Sequence, residues 1–153
     1  MDSPITLWIV WIFLWAILAP WVDRFAPRKS GWITGIAPGV LVVLLLVEAA
    51  RIAGGDVRTE VTEWFPLLGA SLSFRLDGLA VFMALLITGI GTAILIYSGG
   101  YLQGDARKGR TLSQLLIFMG AMLGIVLSDN LILLFIFWEL TSISSYLLIG
   151  FYH

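Results

Sequence analysis

Glu139 is the residue whose type and position most clearly indicate chemistry. It is the tenth residue of a 22-residue apolar segment, Asn130 to Phe151, and so lies near the middle of a predicted membrane helix. An acidic group there costs roughly 2.5–3.5 kcal/mol unless it pairs or faces water or protein. Burial favours its neutral form and a nearby cation its charged form. The pattern predicts a proton relay, with a permanently protonated or paired structural glutamate as the alternative.

Polar side chains accompany Glu139 on the same predicted helix. Ser142 and Tyr146 follow it by three and seven residues and share its face. A second stripe consists of small hydroxyl residues, namely Thr141, Ser144 and Ser145. These side chains could line a hydrated path, with Ser142, Tyr146 and Asp129 as candidate secondary polar lining. Small and hydroxyl residues also let membrane helices pack closely, and this packing role is favoured for each of them taken singly.

The remaining polar and small residues in the apolar segments are typical of structural roles. Asp129 stands where the fifth helix begins and is predicted to be its N-cap, with ion entry as a second interpretation. Glu48 precedes Arg51 by three residues and is expected to form an ion pair with it near the membrane interface. Gly120 and Gly124 form a GxxxG pattern that predicts helix packing.

Composition excludes several classes of function. The net charge of −1 and nine scattered Lys and Arg residues provide no basic field for nucleic acid. With no cysteine and a single histidine, the chain has no thiolate or imidazole cluster for a metal. Motifs for nucleotide, zinc or acyl-transfer chemistry are absent from the sequence. The expectation is a protein without catalytic residues, metal or cofactor.

The elements that position Glu139 are membrane helices. Of the 153 residues 59% are hydrophobic and 12% charged, and the mean hydropathy is +0.98, outside the range of soluble domains. A helix needs about 20 apolar residues to cross a bilayer. The predicted fold is an all-α membrane protein with one transmembrane domain over 1–153. Its five predicted helices are 5–22, 31–53, 78–101, 111–128 and 130–151.

The connection between the second and third helices, 54–77, is predicted to be a short extracytoplasmic β-hairpin. Ser71 to Leu76 alternates polar and apolar residues, and Val57 to Phe65 also favours extended structure. Pro66 to Gly69 is the predicted turn between them.

Lysine and arginine are unevenly distributed between the two sides of the predicted bundle. The first and third connections carry Arg24, Arg28, Lys29, Arg107, Lys108 and Arg110. The opposite side carries three, and acidic residues dilute them. Because cytoplasmic loops are enriched in Lys and Arg, the N-terminus is expected outside and the end of the fifth helix inside.

Four stretches of the sequence resemble one family of membrane proteins. They are Phe74 to Ala80 (FRLDGLA), Leu127 to Leu131 (LSDNL), Phe137 to Ser142 (FWELTS) and Ser145 to Phe151 (SYLLIGF). Together they resemble the N-terminal part of the A-type subunit of the Mrp-type multisubunit monovalent cation (Na⁺)/proton antiporter. That subunit is related to the large proton-pumping subunits of respiratory complex I, and the WELTS form favours the antiporter.

The resemblance implies a secondary transporter subunit rather than an enzyme. In such a subunit Glu139 would belong to a proton-translocation path and work with a lysine on a later helix. No lysine lies within the predicted spans, so the expectation is an N-terminal piece of a longer subunit, truncated or split, whose remainder supplies that lysine. The implied partners are other membrane subunits, the lipid bilayer, and Na⁺ and H⁺ as transported ions, in a bacterial cytoplasmic membrane. The alternatives are a proton-pumping subunit of complex I type and a non-transporting membrane scaffold.

Overall fold

Five long helices and one β-hairpin make up the computed structural model, which describes residues 4–65 and 70–150. The elements in chain order are α1 (Ile5–Phe25), α2 (Ser30–Ile52), β1 (Arg58–Phe65), β2 (Ala70–Leu76), α3 (Gly78–Tyr101), α4 (Lys108–Leu127) and α5 (Leu131–Ile149). All five helices are long and apolar enough to cross a membrane. The predicted fold class, five apolar helices of spanning length with one short β-hairpin, is confirmed. The predicted turn at 66–69 and the last residue of the fifth predicted helix lie outside the described residues.

Three of the five predicted helix starts differ from the structure, those of α2 and α5 by one residue. α4 begins at Lys108 rather than Thr111, because Lys108 is buried against α1 instead of being held in a solvated connection. The prediction that Asp129 caps α5 is wrong, because Asn130 is the N-cap. Its Oδ1 accepts a hydrogen bond from the Leu133 backbone N–H at 2.7 Å. The backbone N–H of Asp129 instead donates to the carbonyl of Ser73 on β2 at 2.8 Å.

The hairpin supplies the N-terminal cap of α1. The residue before α1 is Pro4, whose side chain has no oxygen to accept a bond from the free N–H groups of the first turn. Glu60 on β1 fills this role from 54 or more residues away. Its carboxylate accepts hydrogen bonds from the Ile5 backbone N–H and, at 2.6 Å, from the Thr6 hydroxyl. The hairpin is therefore packed on the helix ends rather than projecting freely from the bundle.

Helix α4 lies at the centre of the bundle. It packs against α1, α3 and α5, while α2 packs mainly against α3. The crossing of α2 and α3 depends on two glycines, Gly31 and Gly99, whose backbones touch. A Cβ atom added at Gly31 would lie 2.7 Å from both the Gly99 Cα and the Leu95 carbonyl oxygen. Only residues without side chains allow this approach.

Replacing Gly31 with alanine is therefore expected to separate α2 from α3. Because the clashing atoms belong to the backbone, the loss of stability should be about 1–3 kcal/mol, the usual range for overpacking. Gly39→Ala is the matched control, since it lies on the same helix and its added Cβ would meet nothing within 4 Å. Thermal unfolding of the purified protein in detergent measures both. Equal melting temperatures for the two variants would contradict this account of the crossing.

Candidate functional site on helix five

Glu139 lies in the middle of α5, as the ninth of its 19 residues. Its side chain is exposed on the surface of the chain, and within the described residues no hydrogen bond or ion pair reaches its carboxylate. The surrounding helix is the least covered of the five, with only Leu133 and Ser144 fully buried. The candidate site is therefore a carboxylate that pairs with no described residue, on a helix face that the described residues leave uncovered.

The direction in which Glu139 points follows from the packing of Phe137 two residues earlier. The Phe137 ring lies directly against Gly124 of α4 and 6.4 Å from the ring of Phe74 on β2, measured between centroids. Residues two positions apart point in nearly opposite directions on a helix, which turns once per 3.6 residues. With Phe137 turned toward α4, Glu139 must face away from it.

Ser142 and Tyr146 share the face of Glu139, as the sequence predicts. Both are exposed, and Tyr146 retains 76% of its accessible surface. The Ser142 hydroxyl donates to the Trp138 carbonyl at 3.2 Å, so it can still accept a hydrogen bond from elsewhere. The uncovered face therefore combines one carboxylate, a serine that can accept and a phenol that can donate. Such a set can hold a water or exchange a proton.

The second hydroxyl stripe is satisfied within α5. Thr141 donates to the Phe137 carbonyl at 2.9 Å, and Ser145 donates to that of Ser142 at 2.9 Å. Ser144, at 1% exposure, donates to the Thr141 carbonyl at 3.1 Å. This back-bonding removes the need for outside partners. For Ser144 it supports the packing role.

Asp129 lies at the start of α5, away from Glu139. Ten residues separate the two, or about 15 Å along a helix. Asp129 is exposed, and one of its carboxylate oxygens accepts a 3.4 Å hydrogen bond from the Ser73 hydroxyl. The structure therefore associates Asp129 with the hairpin, whereas Ser142 and Tyr146 lie beside Glu139.

The start of α5 is fastened to β2 by both side chain and backbone. Besides capping the helix, Asn130 donates from Nδ2 to the Ser71 carbonyl at 2.6 Å. Together with the bond from the Asp129 N–H to Ser73, this pins the start of the helix to β2. The distance from this anchor to Glu139 is then set by the helix itself.

The expected pair of Glu48 and Arg51 is confirmed, with 3.4 Å between Oε1 and Nη1. The sequence does not indicate the second partner. Arg58 on β1 also reaches the Glu48 Oε1, at 3.3 Å, and its guanidinium carbon lies 6.0 Å from the centre of the Trp8 ring. Glu48 is 9% exposed and thus links the end of α2 to the hairpin.

Sequence reasoning missed one buried ion pair at the opposite end of the bundle. Lys108, 2% exposed, places its Nζ 3.0 Å from Oδ1 of Asp23 and also donates to the Pro27 carbonyl. The one indication of this ion pair in the sequence is the neighbouring glycine, Gly109. An added Cβ at Gly109 would lie 3.0 Å from the Cα atom of Pro20. That glycine lets α4 approach α1 closely enough for the pair to form. The pair fastens the first connection to α4.

The packing role predicted for the GxxxG pattern is confirmed. Gly120 faces Phe13 and Ile12 of α1, and Gly124 faces Phe137 of α5. The two glycines therefore admit two different helices against α4. In the described ranges, no three His, Cys, Asp or Glu residues lie close enough together to hold a metal ion.

The chain is similar to membrane proteins of known class. A family described as NADH-Ubiquinone oxidoreductase (complex I), chain 5 N-terminus, matches residues 64–110. Na(+)/H(+) antiporter subunit A1 of Staphylococcus haemolyticus is 43% identical over 140 residues, which are 91% of this chain and 17% of that protein. The protein of the same name from Staphylococcus aureus is 41% identical over 140 residues, or 91% of this chain and 18% of that protein.

The fold has a counterpart among solved structures. A chain in the structure of the Mrp complex from Dietzia sp. DQ12-45-1b superimposes with a TM-score of 0.83 and 30% sequence identity. The match covers 97% of this chain and 16% of that chain.

The chain has five helices long and apolar enough to cross a membrane, and in fold and sequence it is similar to bacterial cation/proton antiporter subunits. More particularly, the resemblance to the A-type subunit of the Mrp-type antiporter, predicted from four short stretches, is confirmed. The chain spans about one sixth of the length of the relatives it matches, 17–18% of each.

Replacing Asn130 with alanine is expected to loosen the start of α5. The change removes an N-cap worth about 0.5–2 kcal/mol. It also removes the bond to Ser71. Asn130→Asp is the matched variant, because aspartate caps equally well but cannot donate to a carbonyl. Hydrogen exchange at the first turn of α5 should accelerate most in Asn130→Ala and less in Asn130→Asp. Unchanged protection in both variants would show that the helix start is held in some other way.

Proposed function

We propose that this chain is part of a secondary Na⁺/H⁺ antiporter complex and contributes Glu139 to the proton-translocation path. The observation that carries the proposal is a carboxylate in the middle of an apolar helix that pairs with no described residue and lies on the face that the described residues leave uncovered. Similarity to proteins named as Na(+)/H(+) antiporter subunits supports the same class of transport.

A carboxylate in the hydrocarbon region requires partners, and these must come from outside the described residues. Its cost in a membrane is relieved when it faces a cation, water or other protein groups. The uncovered face of α5 is where further helices of the same subunit, or of partner subunits, would pack. We infer that one of these helices supplies a lysine to Glu139, as the resemblance implies.

Movement of such a lysine toward or away from Glu139 would be enough to change the protonation of its carboxylate. At an effective dielectric constant of about 20, opposite unit charges attract by about 4 kcal/mol at a separation of about 4 Å and by about 2 kcal/mol at about 8 Å. The difference of about 2 kcal/mol exceeds the roughly 1.4 kcal/mol that changes a protonation equilibrium tenfold. Glu139 would release its proton when the lysine approaches and bind one when it withdraws. Ser142 and Tyr146 would hydrogen-bond the water that carries the proton.

The proposed setting is a bacterial cytoplasmic membrane, with the N-terminus and the hairpin outside. The connections α1–α2 and α3–α4 and the helix ends beside them lie at the end of the bundle opposite the hairpin, and together they carry six of the nine Lys and Arg residues. Cytoplasmic loops show this enrichment. Na⁺ binding would occur in other parts of the complex and be coupled to Glu139 through charge.

A proton-pumping subunit of complex I type is the second candidate, supported by the family match over residues 64–110. It would use the same carboxylate but draw energy from electron transfer instead of a cation gradient. Na⁺-driven proton movement without any electron donor distinguishes the antiporter from the pump. A scaffold without transport is the third candidate, and it requires Glu139 to be dispensable.

Glu139→Gln is expected to abolish Na⁺-driven proton flux, reducing its initial rate at least tenfold. Glutamine keeps the shape and most hydrogen-bonding capacity but cannot be ionised. The assay follows a pH-sensitive dye in everted vesicles that contain the complete native complex, with no electron donor present. The host cells lack other antiporters.

Glu63→Gln is the matched control, because Glu63 is an exposed glutamate on β1. It should leave the flux unchanged. Immunoblotting of every subunit establishes that each variant complex is assembled. Wild-type flux in an assembled Glu139→Gln complex would mean that the carboxylate is structural.

A further inference from the structure

An apolar groove runs between α3 and α4 on the outer surface of the bundle. Its volume is about 430 Å³, and every side chain that lines it is apolar. Representative lining residues are Met83, Ile90 and Ile94 on α3 and Phe118, Met122 and Val126 on α4. The volume lies in the range of roughly 300–1,000 Å³ that is typical of sites for a single small molecule.

The end of the groove nearest the hairpin becomes polar. A second cavity of about 210 Å³ shares the lining residues Met83 and Val126 with the groove, so the two are adjacent. Arg75, Asp77 and Ser128 line this second cavity. Arg75 Nε lies 3.4 Å from Asp77 Oδ2, and the two side chains are 49% and 36% exposed. One cationic and one anionic group therefore stand side by side at the head of an apolar channel.

We propose that this groove is a binding site for one phospholipid with a zwitterionic, amine-bearing headgroup. One acyl chain lies along α3 and α4, the phosphate faces the Arg75 guanidinium, and the ammonium faces the Asp77 carboxylate. The lipid belongs to the leaflet on the hairpin side of the membrane. The site is separate from Glu139, which faces away from α4.

The length of the groove favours an acyl chain over a protein helix. Met83 and Ile94 are eleven residues apart on α3, which corresponds to about 16 Å along the helix axis. The hydrocarbon region of a bilayer is about 30 Å thick, so the groove spans one leaflet. A transmembrane partner helix would need a groove about twice as long and about 10 Å wide. The methionines that line the groove are flexible and can adapt to a chain of variable shape.

The charges at the head of the groove favour a zwitterionic lipid over an anionic one. A guanidinium binds phosphate oxygens through paired N–H donors. Asp77 would repel a second negative charge but would accept hydrogen bonds from a primary ammonium. Phosphatidylethanolamine carries a phosphate and then a primary ammonium, in this order from the glycerol outward. Phosphatidylcholine carries the charge without N–H donors, and phosphatidylglycerol carries no cation.

Filling the groove is expected to displace the lipid. The purified native complex is reconstituted into vesicles that contain phosphatidylethanolamine, phosphatidylglycerol and phosphatidylcholine in equal parts and is then purified again. Native mass spectrometry counts the lipids that it retains. Ile90→Trp should reduce retained phosphatidylethanolamine at least fivefold at this site. Val43→Trp is the control, because Val43 is 61% and Ile90 58% exposed but Val43 lies on α2 outside the groove. Equal retention in both variants would overturn the proposal.

Two further substitutions test the headgroup. Asp77→Asn keeps an amide oxygen able to accept from the Ala80 N–H, as Asp77 Oδ1 does at 2.9 Å, and so preserves the cap of α3. It should remove the preference for phosphatidylethanolamine over phosphatidylglycerol, whereas Arg75→Gln should weaken retention of both. If the wild-type complex retained more phosphatidylglycerol than phosphatidylethanolamine, the assigned headgroup would be refuted. A photoreactive residue at position 90 should crosslink to lipid, and crosslinking to a protein chain instead would show that a helix covers the groove.

Discussion

A polar group inside hydrocarbon has no water to bind, and this constraint determines where each charged residue of the chain can lie. Charged side chains occur in the first or last two turns of α1, α2 and α4. Those that are buried are paired, Lys108 with Asp23 and Glu48 with two arginines. The serine and threonine hydroxyls of α5 bond to carbonyls of their own helix. Glu139 is the exception, since it is ionisable, central in its helix and without a partner among the described residues.

The hairpin satisfies the same constraint at the ends of the helices. Glu60 caps α1, Arg58 reaches the Glu48 carboxylate at the end of α2, and β2 accepts bonds from the α4–α5 turn. Helix ends carry unpaired backbone groups that must find partners. A strand pair, which has one free edge on each side, can serve several ends at once. The long connection is thus better explained as a structural clamp than as a spacer between two spans.

Hydropathy and two-residue alternation were enough to predict the five helices and the hairpin. The candidate site in the middle of α5 was also predictable, because a carboxylate at the centre of an apolar segment is recognisable without any knowledge of tertiary structure. Contacts between segments that are distant in the sequence could not be predicted. In the sequence, Glu60 looks like any other acidic residue of the hairpin, and Lys108 looks like an exposed lysine in a connection. Burial and long-range pairing leave no periodic pattern in the sequence. Asp129 and Asn130 are both good capping residues, so the contact with β2 decides between them.

The anchoring of α5 bears on which part of the proton path can move. Its start is fixed to β2 through Asn130, and its middle is held where Phe137 lies against Gly124. Both contacts are within nine residues of Glu139, on a continuous helix. Displacing the carboxylate by several Å would require breaking the cap or withdrawing an aromatic ring from a glycine contact. Reorientation of the flexible glutamate side chain requires neither. In the proposed mechanism, therefore, α5 serves as the fixed reference, and the larger movement belongs to the cation on the partner helix.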